Sequence, residues 1–235
     1  MGRAFEFRRA RKEKRWDKMA KAFTKIGKDI SIAVKQGGAD PENNPRLRVA
    51  IANAKGVNMP KERVDGAIKR AVSKDAASFQ EIVYEGYGPC GIAILVECAT
   101  DNPTRTVANI RSAFTRSGGT LGTTGSLDFL FQRKGVFTIA AEGVNAEELE
   151  LELIDHGAED FVVDGNEINV YTSFTDFVKM QKALDEKKIT VVSAEMQRLP
   201  LNTTELSEED GTTVMELIEK LEEDEDVQAV YHTIK

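Results

Sequence analysis

With 235 residues, 41% of them hydrophobic and 30% charged, the chain can bury one large core or two to three small ones, which excludes wholesale disorder. The formal charge is −7, yet 20 Lys/Arg stand against 8 Asp/Glu in residues 1–74 (+12) and 12 against 31 in the remainder (−19). Such segregation is a better guide to partners than the average, so the acidic total does not exclude a polyanion.

Residues 1–76 read as all-helical. Trp16, Met19, Phe23, Ile26, Ile30 and Ala33 recur at steps of three and four, an apolar stripe. Lys14, Lys18, Lys21, Lys25 and Lys28 follow the same rhythm two positions out of phase, about 200° around the axis and so nearly opposite the buried side. Arg8, Arg9, Arg11, Lys12 and Arg15 extend the charge into a tail expected to be unordered until it binds. Gly37-Gly38 ends the helix, and Pro41 and Pro45 forbid its continuation. A second helix follows with Leu47, Ala50 or Ile51, and Ala54 inward. "NMP" then repeats the device, with Asn58 as cap and Pro60 in the first turn of a third helix. Arg46 and Arg48 beside the corner either reach phosphate or a base edge, or tie the corner to its neighbours.

From Phe79 the period changes to two. "FQEIVYEG", "GIAILVECAT" and "GSLDFLFQ" read as strands, with a helix between the last two capped by Asp101 or Asn102. Next come "GVFTIAA", a helix from Asn145 to His156, "DFVVDGNEINVYT" turning at Asp164-Gly165, a helix from about Thr175 to Glu186, and "ITVVSAEMQRL". That is β-α-β-β-α-β, the order of a ferredoxin-like split βαβ sandwich. A helix at Thr212 to Glu223 and the strand "VQAVYHTI" close the chain. The expected class is α+β: a three-helix domain (1–76), an α+β domain (77–131 plus 200–235), and a second ferredoxin-like domain (132–199) inserted in it.

Little points to chemistry. "GYGPCG" matches GxGxxG, but a strand follows it instead of the helix that would receive a pyrophosphate. "SGGTLGTTGS" lacks the Gly-Lys-Ser/Thr ending of a P-loop and reads as a helix-to-strand connection. His156 and His232 have no Cys or second His at ligand spacing, so neither a metal nor a nucleophilic set is assembled. Cys90 and Cys98 lie eight apart in one strand, too far to bond each other. The absence of a disulfide framework fits a reducing compartment. The start carries charge without an apolar h-region, and no apolar run reaches membrane-spanning length, so a cytoplasmic protein is expected. The acidic runs "ELSEED" and "EKLEEDEDV" flank helical core spacing and read first as a solvated outer face; the sharper reading is that this surface repels nucleic acid and so orients the protein.

The basic unit is the strongest signal. Ammonium groups spaced along one helix can track a phosphate backbone, with affinity from counterion release. A helix built only for solubility would mix signs for i,i+4 pairs. The expected contacts are therefore Arg8, Arg9, Arg11, Lys14, Arg15, Lys18, Lys21, Lys25, Lys28, Arg46 and Arg48.

"GGADPENNPRLRVAIANAKGVNMP", "YEGYGPCGIAILVECATDNPTRTVANIRSAF", "SGGTLGTTGSLDFLF" and "DVQAVYH" together resemble the YebC/PmpR family over essentially the whole chain. The resemblance implies a helical N-terminal domain followed by two α+β domains, the third inserted in the second. It implies a non-enzymatic, DNA-binding transcriptional regulator. It equally admits a ribosome-associated translation factor on ribosomal RNA, because mitochondrial relatives are translational activators and bacterial ones have been tied to ribosome function. No catalytic residue, metal or cofactor is carried over. Two departures stand out: "GRAFEFRRARKEKRW" replaces the usual "GHSKW" opening, and Pro89-Cys90-Gly91 replaces a Gly-Gly. A small-molecule-sensing role would need a polar pocket between the α+β domains.

Overall fold

The computed structural model describes the backbone of residues 3–73 and 77–235, and the side chains of 19–73 and 77–235. The chain forms two compact units, residues 1–77 and 78–235.

The first unit holds helices α1 (Arg3–Gly37), α2 (Pro45–Gly56) and α3 (Lys61–Val72). Helix α1 continues back to Arg3 where the sequence suggested a tail, since residues 3–15 hold, besides Phe5 and Phe7, only Arg, Lys, Glu and Ala, with neither Gly nor Pro. Ile26, Ile30, Ala33 and Val34 of α1 pack against Leu47, Ala50 and Ala54 of α2 and Val64, Ala67 and Ala71 of α3. The second corner differs from expectation. Asn58 is not a helix N-cap; it adopts a left-handed φ of 57°, and its N–H donates to Lys55 O at 2.9 Å while Met59 N donates to Ala54 O at 2.8 Å. It thus closes α2 from behind, as asparagine tolerates in this conformation, and Pro60 stands at the cap of α3.

The second unit contains two four-stranded antiparallel sheets. Sheet A is built from β1 (Gln80–Tyr87), β2 (Ala93–Thr100), β3 (Thr120–Leu121) and β8 (Val227–His232), in the order β3-β1-β2-β8. Helices α4 (Pro103–Arg116) and α7 (Glu208–Glu222) cover one face, where Ile94, Val96 and Cys98 meet Ile110, Phe114, Val214, Leu217 and Leu221. Sheet B is built from β4 (Phe131–Ala140), β5 (Ala158–Asp164), β6 (Glu167–Ser173) and β7 (Val191–Pro200), in the order β5-β6-β4-β7. Helices α5 (Ala146–Ile154) and α6 (Phe177–Glu186) accompany it. This is the split βαβ order, and all of its elements fall between β3 and β8 in the chain. Asn44, Asn102, Asn145 and Ser207 cap α2, α4, α5 and α7 with side-chain oxygens.

"GSLDFLFQ" is not one strand. The third strand of sheet A is the short β3, paired with β1 at Gly86 and Tyr87, and residues 128–130 form a 3₁₀ turn before β4 begins. The cause is Glu85, whose buried carboxylate accepts from Gly125 N and Leu127 N at 2.6 Å each. That capture folds the glycine-rich loop back over sheet A, where Leu127 and Phe131 bury against Ala93 and Leu95 on the face opposite the helices.

The two sheets are tied at this place. Arg198 of β7 donates through Nε to Glu97 at 2.7 Å and through Nη1 to Asp128 at 2.5 Å. The Tyr231 hydroxyl donates to Met196 O at 3.3 Å, and burial of this phenol raises its pKa well above the ordinary value. No helix among the described residues is long and apolar enough to cross a membrane.

Candidate nucleic-acid interface

The corner between α1 and α2 is built around one asparagine. Asn44 is 3% exposed; its Nδ2 donates to Ala33 O and Gly38 O at 2.8 Å each, and its Oδ1 accepts from Leu47 N at 3.1 Å. It therefore caps α2 and ties the end of α1 with the same side chain. Gly37 is required by this packing, because a Cβ there would lie 2.8 Å from Asn44 Cγ. Gly38, at φ 87°, turns the chain. Asp40 completes the corner by accepting from Glu42 N at 3.0 Å and from Asn43 Nδ2 at 2.6 Å.

The predicted cations separate into groups. Lys21 is exposed and Lys25 half-buried. Lys28 corrects the expected stripe: it is only 9% exposed. The reason is that residues 30–34 are all buried, so this stretch of α1 keeps no solvent face before Lys35, and Lys28 lies on the same side as Ile32, four residues on. Arg46 is exposed and donates to Gln36 Oε1 at 2.8 Å. Arg48 donates through Nη1 to the carbonyls of Pro41 and Glu42 at 2.8 Å each, and so ties the corner to its own helix. Arg8, Arg9, Arg11, Lys14, Arg15 and Lys18 have side chains outside the described residues.

Helix α3 supplies cations that the sequence reading passed over. With Val64, Ala67 and Ala71 inward, Lys61, Arg63, Lys69 and Arg70 are exposed. The apolar spacing alone already assigned those positions to the outer side. The Arg63 guanidinium stands 5.5 Å from the centre of the Phe23 ring, a cation–π contact that brings the first turn of α3 beside the stretch of α1 bearing Lys21. Lys21, Lys61 and Arg63 thus belong to one end of the unit.

In the second unit the polar motif residues are engaged with one another. The buried Asp226 carboxylate accepts from Arg105 Nη2 at 2.7 Å, Thr106 Oγ1 at 2.8 Å and Thr100 Oγ1 at 3.2 Å. Asp101 also takes Arg105 Nη2, at 2.9 Å. Both carboxylates raise the pKa of the Arg105 guanidinium, Asp226 the more strongly. "TDNPTRT" is therefore a knot fastening α4 to the start of β8. "GYGPCG" is the connection between β1 and β2. A groove of about 670 Å³ lies between α4 and α7, lined by Asn109, Arg116, Glu216, Lys220 and Asp224 among others; it sits on the helical layer of sheet A.

Residues 3–74 match the TACO1/YebC protein N-terminal domain, and residues 79–234 match the TACO1/YebC second and third domain. The chain belongs to the TACO1/YebC family. A protein of Cytophaga hutchinsonii called "Probable transcriptional regulatory protein" is 61% identical over 234 residues, covering 100% of this chain and 98% of its own. One of the same description from Parabacteroides distasonis is 57% identical, covering 100% and 97%. Among solved structures, a conserved hypothetical protein from Aquifex aeolicus superposes with a TM-score of 0.82 at 37% identity, covering 92% of this chain and 90% of that one.

Proposed function

We propose that this protein is a non-enzymatic transcriptional regulator that binds DNA through its basic helical domain, residues 1–76. In this reading residues 77–131 with 200–235, and the inserted 132–199, form two α+β domains that face other partners in the cytoplasm. The observation that carries it is the charge segregation: +12 over residues 1–74 against −19 over the rest. The exposed Lys21, Lys61, Arg63, Lys69 and Arg70 put part of that charge in solvent on a unit of only three helices. Such a surface attracts any polyanion through counterion release, and the acidic second unit repels it, which orients the encounter. The names of the relatives support a regulatory role.

The test is where the cellular protein goes. Enrichment at promoters, with transcripts of the adjacent genes altered in a deletion strain, is the expected result. Co-sedimentation with ribosomes at moderate salt, without promoter enrichment, overturns the DNA reading and transfers the same cations to ribosomal RNA.

A further inference from the structure

Residues 135–178 contain eleven Asp/Glu and no Lys or Arg, and in this stretch lies the edge strand β5, which among the described residues pairs with β6 alone. Almost the whole strand is exposed. Its register fixes what each face offers. Phe161 and Val163 stand opposite Val170 and Ile168, which share the α6-covered side with Phe137, stacked on Phe177 of α6 at 4.7 Å. Asp160, Val162 and Asp164 stand opposite Tyr171, Asn169 and Glu167 on the other side. Val162 is 42% and Val163 55% exposed, so both faces of the edge leave a valine in water. Helix α5, which packs on β5, adds Leu151 at 71% and Ile154 at 55% exposure, neighbours at i,i+3.

We propose that the β5 edge is a docking site for an extended, cationic segment of a partner protein, which adds to sheet B as a fifth strand. Main-chain groups along an unpaired edge supply the hydrogen bonds for such an addition, and the alternating side chains supply the choice of partner. Here the choice is legible. A segment running antiparallel to β5 meets carboxylates at Asp160, whose Oδ1 accepts from Phe161 N at 2.9 Å until the added strand takes its place, and at Asp164, with apolar surface at Phe161, Val162 and Val163, so it needs a cation at each end and apolar residues between. Glu159 is already occupied by Lys134. A second copy is the wrong occupant: antiparallel self-pairing centred on Val162 sets Asp160 against Asp164, and like charges directly opposite destabilise a pair. The same carboxylates reject nucleic acid. This site is independent of the cations on the first unit.

The experiment uses the full-length protein and a fluorescein-labelled Thr-Lys-Val-Thr-Val-Lys-Thr peptide, beside the same peptide N-methylated at alternate residues. Anisotropy reads affinity, and amide hydrogen exchange reads residues 158–164. Saturable binding is expected, with exchange in β5 slowed about tenfold and affinity about tenfold weaker both for the N-methylated peptide and for the Asp160→Lys/Asp164→Lys variant. Equal binding of the two peptides to the unaltered protein would mean that cations merely condense on an acidic surface, and would overturn strand addition without reference to any variant. Absence of binding, protection that falls elsewhere, or a concentration-dependent dimer that the double variant abolishes would each overturn it as well.

Discussion

Replacing Asn44 by alanine removes three hydrogen bonds at once. The lost N-cap is worth about 1 kcal/mol. The two carbonyls it serves, Ala33 O and Gly38 O, each lose a donor at 2.8 Å, at about 1 kcal/mol apiece. The bonds to Ala33 O and from Leu47 N are buried, whereas that to Gly38 O is only part-buried and open to replacement by water, so a loss of about 2–3 kcal/mol is expected. The packing adds a sharper requirement. In the unaltered protein Gly37→Ala drives a Cβ to 2.8 Å from Asn44 Cγ and is destabilising; with alanine already at 44 the obstacle is gone. Urea unfolding of the two single variants and the double, followed by far-UV ellipticity and by the fluorescence of Trp16, the one tryptophan, should give a favourable coupling of about 1–2 kcal/mol. Strict additivity, or a loss below about 1 kcal/mol for Asn44→Ala, would refute the view that this residue organises the corner.

Glu85→Gln leaves one acceptor oxygen where Gly125 N and Leu127 N require two, and should cost about 2–3 kcal/mol; exchange at those two amides should rise about thirtyfold, and unchanged exchange would show that the loop holds itself. Arg198→Met should cost about 1–2 kcal/mol, because the side chain is enclosed while Glu97 and Asp128 retain access to water when released; a loss near zero on calorimetry would mean that the apolar contacts alone join the sheets. Burial lowers the pKa of His232, with Glu222 opposing, and its Nδ1 is enclosed without a hydrogen-bond partner. The unfolded chain therefore takes up the proton first, and stability should fall as pH drops from about 6.5 through the lower folded-state value. His232→Gln should flatten that window, whereas an unaltered slope would assign it to other groups.

Apart from Asn58, which closes α2 instead of capping α3, the corners and caps were legible because they rest on local chemistry. Gly37-Gly38, the Asn44-Pro45 step and the Asn102-Pro103 step each act within a turn of their own position, and the alternation of sheet B required no distant information. Ser207 was equally readable: Ser207 Oγ accepts from Asp210 N at 3.1 Å, so α7 starts at Glu208, a turn before the expected Thr212. What could not be read depended on residues far apart in the chain. Nothing in "FQEIVYEG" marks Glu85 as buried, and its partners lie 40 and 42 residues away, so "GSLDFLFQ" passed for a strand on period alone. Lys28 failed for a related reason. A helical wheel places a residue relative to its own helix, but enclosure of the end of α1 from Ile30 to Val34 is decided by what surrounds the helix. The α3 cations follow from the same wheel argument: with Val64, Ala67 and Ala71 inward, Lys61, Arg63, Lys69 and Arg70 fall on the outer side.

The central claim is that cations exposed on the first unit neutralise nucleic-acid phosphates. The measurement that addresses it most directly is the salt dependence of duplex DNA affinity for the full-length protein and for Lys21→Glu/Lys61→Glu/Lys69→Glu, with ellipticity verifying the fold. If about six phosphates are engaged, log K against log salt should slope near −5, at about −0.9 per contact. The triple variant should bind every sequence more weakly and with a slope shallower by about 2 to 3. Equal affinity and an unchanged slope in the two proteins would contradict the account.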